Sequence, residues 1–369
     1  MVVGLIKEIK KHEYRVGLTP SCVKEYIKNK HEVLVELDAG VGSGFSNKDY
    51  EKAGAKIINK ASKVWQKADM IVKVKEPLQE EYKYFKKDLI LFTYLHLAAN
   101  KELTLELMKN KVTAIAYETI TDNDGALPCL KPMSEIAGRI AVQEAAKYLE
   151  KPMGGRGVLL GGVTGTKRGE VVIFGGGAVG MNACKMAVGL GANVTVIEKN
   201  AKTLERFDDI FASKVTTLFS TTNNIKESIK KADVLIGAVL IPGLSAPKLV
   251  TKKDLKSMKK GSVIVDVAID QGGCFETSKI TYHDNPTYVV NDVIHYCVAN
   301  MPGAVSLTST LALTSITLNY GLEIANKGLD ALNNPHINNG LNVFNGKCVN
   351  EAVKVSLDLW FLKIFVQLF

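Results

Sequence analysis

Val171-Val-Ile-Phe-Gly-Gly-Gly-Ala-Val-Gly180 is the stretch whose reading decides the fold. The apolar run Val171 to Phe174 reads as a buried parallel strand. Gly175, Gly177 and Gly180 then spell G-x-G-x-x-G. From Ala178 to Gly191, apolar Val179, Ala183, Met186, Ala187 and Leu190 recur at helical spacing. Strand, glycine turn and helix follow in the order a dinucleotide site requires. The first glycine permits a tight turn, the second lets the backbone approach a pyrophosphate, and the third lets helix and strand pack closely. The helix start offers N–H groups and a positive dipole end to the phosphates. The next strand, Asn193 to Ile197, ends at Glu198, about where a ribose-binding carboxylate is expected, some 20 residues past the turn. The motif alone can be a structural corner; the added carboxylate points to a nicotinamide dinucleotide, and its charge to NAD rather than NADP.

The chain has 369 residues, 46% of them hydrophobic and 23% charged, which fits a globular protein of two domains. Its net charge of +9 comes from scattered lysines, with no basic tract interleaved with aromatics, so nucleic-acid binding is not expected. The field suits anionic small molecules. Six cysteines form no C-x-x-C pair and join no histidine cluster, which predicts buried free thiols, a reducing cytoplasmic setting and no metal. The N-terminus lacks a signal-peptide pattern. No apolar run is expected to reach membrane-spanning length, and the apolar ending from Leu359 to Phe369 is read as core or subunit packing.

Working outward, the first 128 residues repeat a βα rhythm, with strands expected at Val2–Ile6, Val33–Leu37, Met70–Val74, Leu89–Tyr94 and Thr113–Tyr117. Helices are expected at Pro20–Lys30 and Lys101–Lys111. A long apolar-striped helix, Pro132 to Glu150, leads into a second α/β set with strands at Val171–Phe174, Val194–Ile197, Val234–Ala238, Val263–Val267 and Tyr288–Asn291. A second long helix, Thr308 to Lys327, leads back. The expected architecture is α/β: two Rossmann-like doubly wound domains joined by two long helices, with a cleft between them. Residues 1–128 and 307–369 form the substrate domain, and 129–306 the NAD-binding domain.

In such folds, ligands lie beyond the carboxyl ends of the strands. Those ends collect Arg15, Lys75, His96 and Asp270. A guanidinium suits bidentate capture of a carboxylate. A lysine can hold a carbonyl or carboxylate oxygen. A histidine can exchange a proton near neutral pH, and an aspartate can hold water or an amine. Each has a plainer reading as a solvated charge, a structural histidine or a turn-stabilising carboxylate; their joint placement at strand ends favours a site.

The chain resembles the alanine dehydrogenases, whose wider family includes the NAD-binding subunit of proton-translocating transhydrogenase. The likeness runs through Gly4 to Pro20, Gly40-Val-Gly-Ser-Gly-Phe45, Val72-Lys-Val-Lys-Glu-Pro77 and Leu95-His-Leu97. It continues through Pro132-Met-Ser-Glu-Ile-Ala-Gly138, the Val171–Gly180 turn, Ile241-Pro-Gly243, Val265 to Gly273 and Val298-Ala-Asn-Met-Pro302. The resemblance implies that Arg15 and Lys75 bind the substrate carboxylate and carbonyl oxygen and that His96 and Asp270 are the catalytic acid/base pair. It implies cofactor contacts from Ser134, Ala178, Val179, Glu198, Ser220, Val239, Leu240, Val267, Ala268, Ile269, Asp270, Val298, Ala299, Asn300 and Met301, beside Gly175, Gly177 and Gly180. The implied activity is NAD-dependent oxidative deamination of L-alanine to pyruvate and ammonium, and its reverse, in a homohexamer.

Three departures stand out. Glu198 replaces a common aspartate, Thr203 stands where many members carry a basic cofactor contact, and the ending after Asp358 is unlike typical members. Two alternatives remain at this stage: a transhydrogenase-like NAD(H) subunit, and a non-catalytic NAD sensor. The first does not need Arg15, Lys75, His96 and Asp270 together; the second would bind NADH without turnover.

Overall fold

The computed structural model describes residues 1–239 and 246–359. Leu240, the 241–243 motif and the apolar tail from residue 360 onward lie outside the described residues. The described chain divides into two compact units, Met1–Met133 with Gly303–Phe369, and Ser134–Pro302.

The strands follow the apolar runs. In chain order they are β1 (Val2–Leu5), β2 (Glu32–Glu36), β3 (Lys56–Ile58), β4 (Met70–Val72), β5 (Ile90–Thr93) and β6 (Thr113–Ala116). Next come β7 (Glu170–Phe174), β8 (Asn193–Glu198), β9 (Val215–Phe219), β10 (Val234–Gly237), β11 (Val263–Asp266), β12 (Thr287–Val290) and β13 (Val293–Tyr296). Last are β14 (Leu341–Phe344) and β15 (Lys347–Cys348).

The first unit holds an eight-stranded sheet in the order β15-β14-β6-β5-β4-β1-β2-β3. Strands β1 to β6 pair in parallel, while β14 and β15 add an antiparallel edge. The central strands are buried on both faces, as β4 and β5 are along their whole length, which explains their unbroken apolar runs. One core lies on each face of this sheet: Val3, Leu5, Tyr26, Tyr50 and Phe92 on one, Trp65, Ile71, Leu91 and Leu95 on the other.

The second unit holds a seven-stranded sheet ordered β12-β13-β11-β10-β7-β8-β9, parallel except for β12. The expected strand near Tyr288–Asn291 is thus the antiparallel edge of a hairpin whose other arm is β13. Both sheets share one design. Leaving aside the antiparallel edges, each begins in the middle, runs outward through two neighbours, then returns to the other side. This places a topological switch point between β1 and β4 in one unit and between β7 and β10 in the other.

The long helices span Lys131–Tyr148 and Ser306–Lys327. The helical stretch Met301–Asn333 has an 18-residue window of mean hydropathy 1.2, long and apolar enough by composition to cross a membrane. That corrects the expectation that no run reaches this length. Its Leu313, Ile324 and Ala325 belong to the core of the first unit, which accounts for the apolar stripe. All six cysteines are buried and unbridged.

Candidate functional site

In the first unit, three expected site residues leave neighbouring strands at one sheet edge. Arg15 stands in the loop after β1, Lys75 follows β4 and His96 follows β5.

Arg15 is 2% exposed, so its charge needs a partner inside the protein. Glu13 supplies it. Its carboxylate accepts from Arg15 Nε at 2.7 Å, from Nη2 at 2.5 Å and from the backbone N–H at 3.1 Å. Burial works against both charges, yet the pair prevails: Glu13 is held below the usual carboxylate range and Arg15 above the usual guanidinium range. The two-point fork fixes the plane of the guanidinium. Arg15 Nη1 also meets Met133 Sδ at 3.0 Å.

Lys75 contrasts with its near neighbour Lys73. Lys73 is fully buried and lies between Glu81 at 2.8 Å and Glu8 at 3.3 Å. Glu8 also accepts the backbone N–H of Val74 at 2.6 Å and of Lys75 at 3.1 Å. This carboxylate therefore pins the turn from which Lys75 projects. The Lys75 ammonium has no hydrogen bond or ion pair among the described residues. Burial, then the nearby Arg15 charge, push its pKa below the ordinary lysine value. An incoming carboxylate would relieve both effects.

His96 adopts a left-handed backbone, φ 50° and ψ 36°. That conformation is uncommon for a residue with a side chain and needs support. Glu118 provides it. Its carboxylate accepts the N–H of His96 at 2.6 Å and of Leu95 at 3.0 Å. The exposed imidazole stacks on Tyr94, with centroids 6.1 Å apart and planes at 16°. Tyr94 is itself anchored by donating to the Cys129 carbonyl at 2.6 Å.

In the second unit, the glycine turn has the geometry a dinucleotide needs. Gly175 has φ 96°, and a side chain there would strike Ala238 O. A Cβ on Gly180 would sit 1.9 Å from Gly175 O. A Cβ on Gly177 would meet nothing within 4 Å. Gly177 is the N-cap of the helix Ala178–Gly189 and offers no side-chain cap. An open approach to uncapped N–H groups is what a pyrophosphate fits. Ala178 and Val179 form the first turn of this helix.

Glu198, at the end of β8, accepts from Gly176 N–H at 2.7 Å, Lys199 N–H at 2.7 Å and Asn200 N–H at 3.0 Å. It braces the glycine turn, and a carboxylate has acceptor capacity beyond these three bonds for ribose hydroxyls. Ser220 donates its N–H to Glu198 O at 3.0 Å. Thr203 packs its methyl toward Gly176. Val239 follows β10, next to the turn across the switch point.

Val267, Ala268, Ile269 and Asp270 form a short 3-10 turn directly after β11. Asp266 holds it. This fully buried carboxylate accepts Ala268 N–H at 3.2 Å, Cys274 N–H at 2.8 Å and Ser278 Oγ at 2.5 Å. Burial raises its pKa. Asp270 is exposed and has no hydrogen bond or ion pair among the described residues. The plainer reading, in which Asp270 merely ties the glycine turn, is therefore unsupported, since Asp266 does that. Val298 to Met301 follow β13, and Ser134 lies in the first turn of the helix Lys131–Tyr148. Glu8, Glu13, Glu118 and Asp266 are the carboxylates that sequence reading passed over. Only Glu13 carried a signal, its spacing from Arg15.

Comparison with known proteins gives a consistent result. Residues 4–137 match the model of the alanine dehydrogenase/PNT N-terminal domain and residues 141–351 that of the C-terminal domain. Alanine dehydrogenase of Bacillus subtilis is 58% identical over 96% of this chain and 94% of its own length. That of Methanococcus maripaludis is 55% identical over 97% of both chains. A solved L-alanine dehydrogenase superposes with a TM-score of 0.95 at 51% identity, covering 97% of this chain and 99% of the other. A transhydrogenase from Sinorhizobium meliloti shares the fold, with a TM-score of 0.84 at 24% identity over 95% of this chain.

The two glycines give separable outcomes. Gly177→Ala should fold and melt like the parent yet bind NADH about tenfold or more weakly, because the added methyl occupies only ligand space. Gly180→Ala should lower the melting temperature, since its methyl meets backbone. Unchanged NADH affinity in Gly177→Ala, measured by fluorescence titration, would contradict this assignment.

Proposed function

The chain belongs to the alanine dehydrogenase/PNT family and interconverts alanine with pyruvate and ammonium in an NAD-dependent reaction, and we propose that Arg15, Lys75, His96 and Asp270 carry its chemistry. The observation that supports this most is the Glu13-held guanidinium beside the unpaired Lys75 ammonium at the β1–β4 switch point. Two cations, one rigidly oriented, suit a 2-oxo acid, whose carboxylate takes the fork of Arg15 and whose carbonyl oxygen takes Lys75.

Bound NAD would supply the redox chemistry, as acceptor of the hydride from the alanine Cα. It would be held by the Gly175–Gly180 turn, the start of the helix Ala178–Gly189 and Glu198, with Ser134, Ser220, Val239, Leu240, residues 267–270 and residues 298–301 as further contacts. His96 moves a proton to or from the substrate oxygen. Asp270 orients the water or ammonia that adds to or leaves Cα. Substrate binding and proton transfer thus belong to residues of the first unit, and cofactor binding and amine handling to residues of the second.

Purified protein should oxidise NADH only when pyruvate and ammonium are both supplied, with NADPH far poorer because Glu198 repels a 2′-phosphate. NADH binding without turnover would leave a sensor, and hydride transfer only to a second nucleotide would leave a transhydrogenase-like subunit. Asp270→Asn should keep NADH affinity and lose on the order of 10²-fold in turnover, the scale of one acid–base group. Arg15→Ala should chiefly raise the KM for alanine and pyruvate. Near-parental kcat in Asp270→Asn removes Asp270 from the mechanism.

The proposed setting is the cytoplasm and the proposed assembly a homohexamer. Leu307 and Leu311 are about half exposed on the helix Ser306–Lys327, and Leu159 and Val163 about two-thirds exposed in the second unit. Apolar residues so placed suit subunit contacts. Sedimentation velocity at micromolar concentration should give the hexamer; a stable monomer contradicts it.

A further inference from the structure

The second unit carries a groove of about 740 Å³ that the reaction does not use. Its floor follows a cross-strand row. Val172 pairs with Thr195, and Thr195 with Thr216, so these three side chains share one face of β7, β8 and β9. One wall is the helix Thr222–Lys231, which contributes Ser228 and Lys231. Glu170 opens β7 and Asp233 directly precedes β10, and both line the groove. It therefore lies toward the amino ends of these strands, the edge opposite Gly175 and Glu198.

The lining is short of acceptors. Six cations border it: Arg156, Lys167, Arg168, Lys230, Lys231 and Lys259. Three carboxylates face them. Asp233 pairs with Lys259 at 3.0 Å and Arg156 at 3.4 Å, and Glu227 pairs with Lys230 at 2.7 Å. Glu170 accepts from Asn193 Nδ2 at 2.8 Å. Lys167, Arg168 and Lys231 have no ion pair among the described residues. The Nε of Arg156 is buried with no hydrogen-bond acceptor. The hydroxyls of Thr195, Thr216 and Ser228 have no hydrogen bond among the described residues, and Ser228 is only 8% exposed. These hydroxyls are open to the groove, and the Arg156 Nε–H faces Asp233 only as an ion pair at 3.4 Å without a well-aligned acceptor, so the lining presents donors to a ligand.

What answers these donors is a compact anion with many acceptor oxygens. A polyphosphate has that chemistry, and arginine and lysine are its usual ligands. Val158, Val172 and Leu218 add an apolar floor beside the cations, and the volume suits a nucleotide. We propose that this groove is a second anion site, taking the polyphosphate group of a small molecule. It stands independently of the catalytic assignments.

The test uses the full-length assembled protein saturated with NADH, so that the dinucleotide turn is filled. Pyrophosphate and ADP are then titrated by calorimetry. Both should bind at one site per chain. The paired substitution Lys167→Glu with Lys231→Glu should weaken them by at least about tenfold, as expected for losing charge-assisted contacts. NADH affinity should not move. If charge reversal impairs folding, the Lys167→Gln, Lys231→Gln pair serves in its place. Tighter binding of ADP than of pyrophosphate assigns a nucleotide, and equal binding assigns free polyphosphate; both support the site. Absence of binding by either probe, or parental affinity in the paired variant, overturns it.

Discussion

A single buried ammonium sets the geometry of the first unit's site. Lys73 is fully enclosed, and a buried charge left alone costs several kcal/mol. Glu8 and Glu81 must therefore meet it. Glu8 comes from the loop after β1, so meeting Lys73 draws that loop against the end of β4. The same carboxylate takes the N–H groups of Val74 and Lys75. The loop bearing Arg15 and the turn bearing Lys75 are thus fixed to one another. Lys73 has its own partners, and this leaves Lys75 as the cation that a ligand can neutralise.

Both units use one physical device. A carboxylate near a strand end gathers backbone N–H groups or a guanidinium and so aims a neighbouring side chain. Glu13 does this for Arg15, Glu118 for His96 and Asp266 for the turn carrying Asp270. Charge-assisted bonds of this kind are stronger than neutral ones, and they are formed before a ligand arrives. The sheet order supplies the other half of the design. Each unit reverses direction beside its first strand, and the opening left there receives Arg15 and Lys75 in one unit and the glycine turn in the other.

Much of this was legible in the sequence. Short apolar runs such as Met70–Val72 and Ile90–Phe92 read as strands buried on both faces, and the glycine turn carries its own steric logic. The residues at strand ends were legible because such positions are where α/β folds place ligands. Edge elements were not. Strands β3, β9, β14 and β15 are short or half exposed, as in the burial of Val215–Phe219, and pair through the backbone rather than through an apolar pattern. The arm β13 was missed because the strand reading stopped at Asn291, and the apolar residues from Val293 to Tyr296 were given no strand of their own. Glu8, Glu118 and Asp266 escaped notice for a different reason. A single carboxylate in a loop, a turn or a strand end looks like a solvated charge until tertiary structure shows which amides it meets.

In the proposed mechanism Glu13 holds Arg15 ready for the substrate carboxylate. The most direct measurement is the pyruvate affinity of the enzyme–NADH complex in Glu13→Gln, followed by NADH fluorescence without ammonium. The carboxamide keeps the shape but loses the charge and one acceptor of the fork. Pyruvate should bind more weakly by about tenfold or more, the scale of one charge-assisted contact, with NADH affinity unchanged. Parental pyruvate affinity in that variant would contradict it.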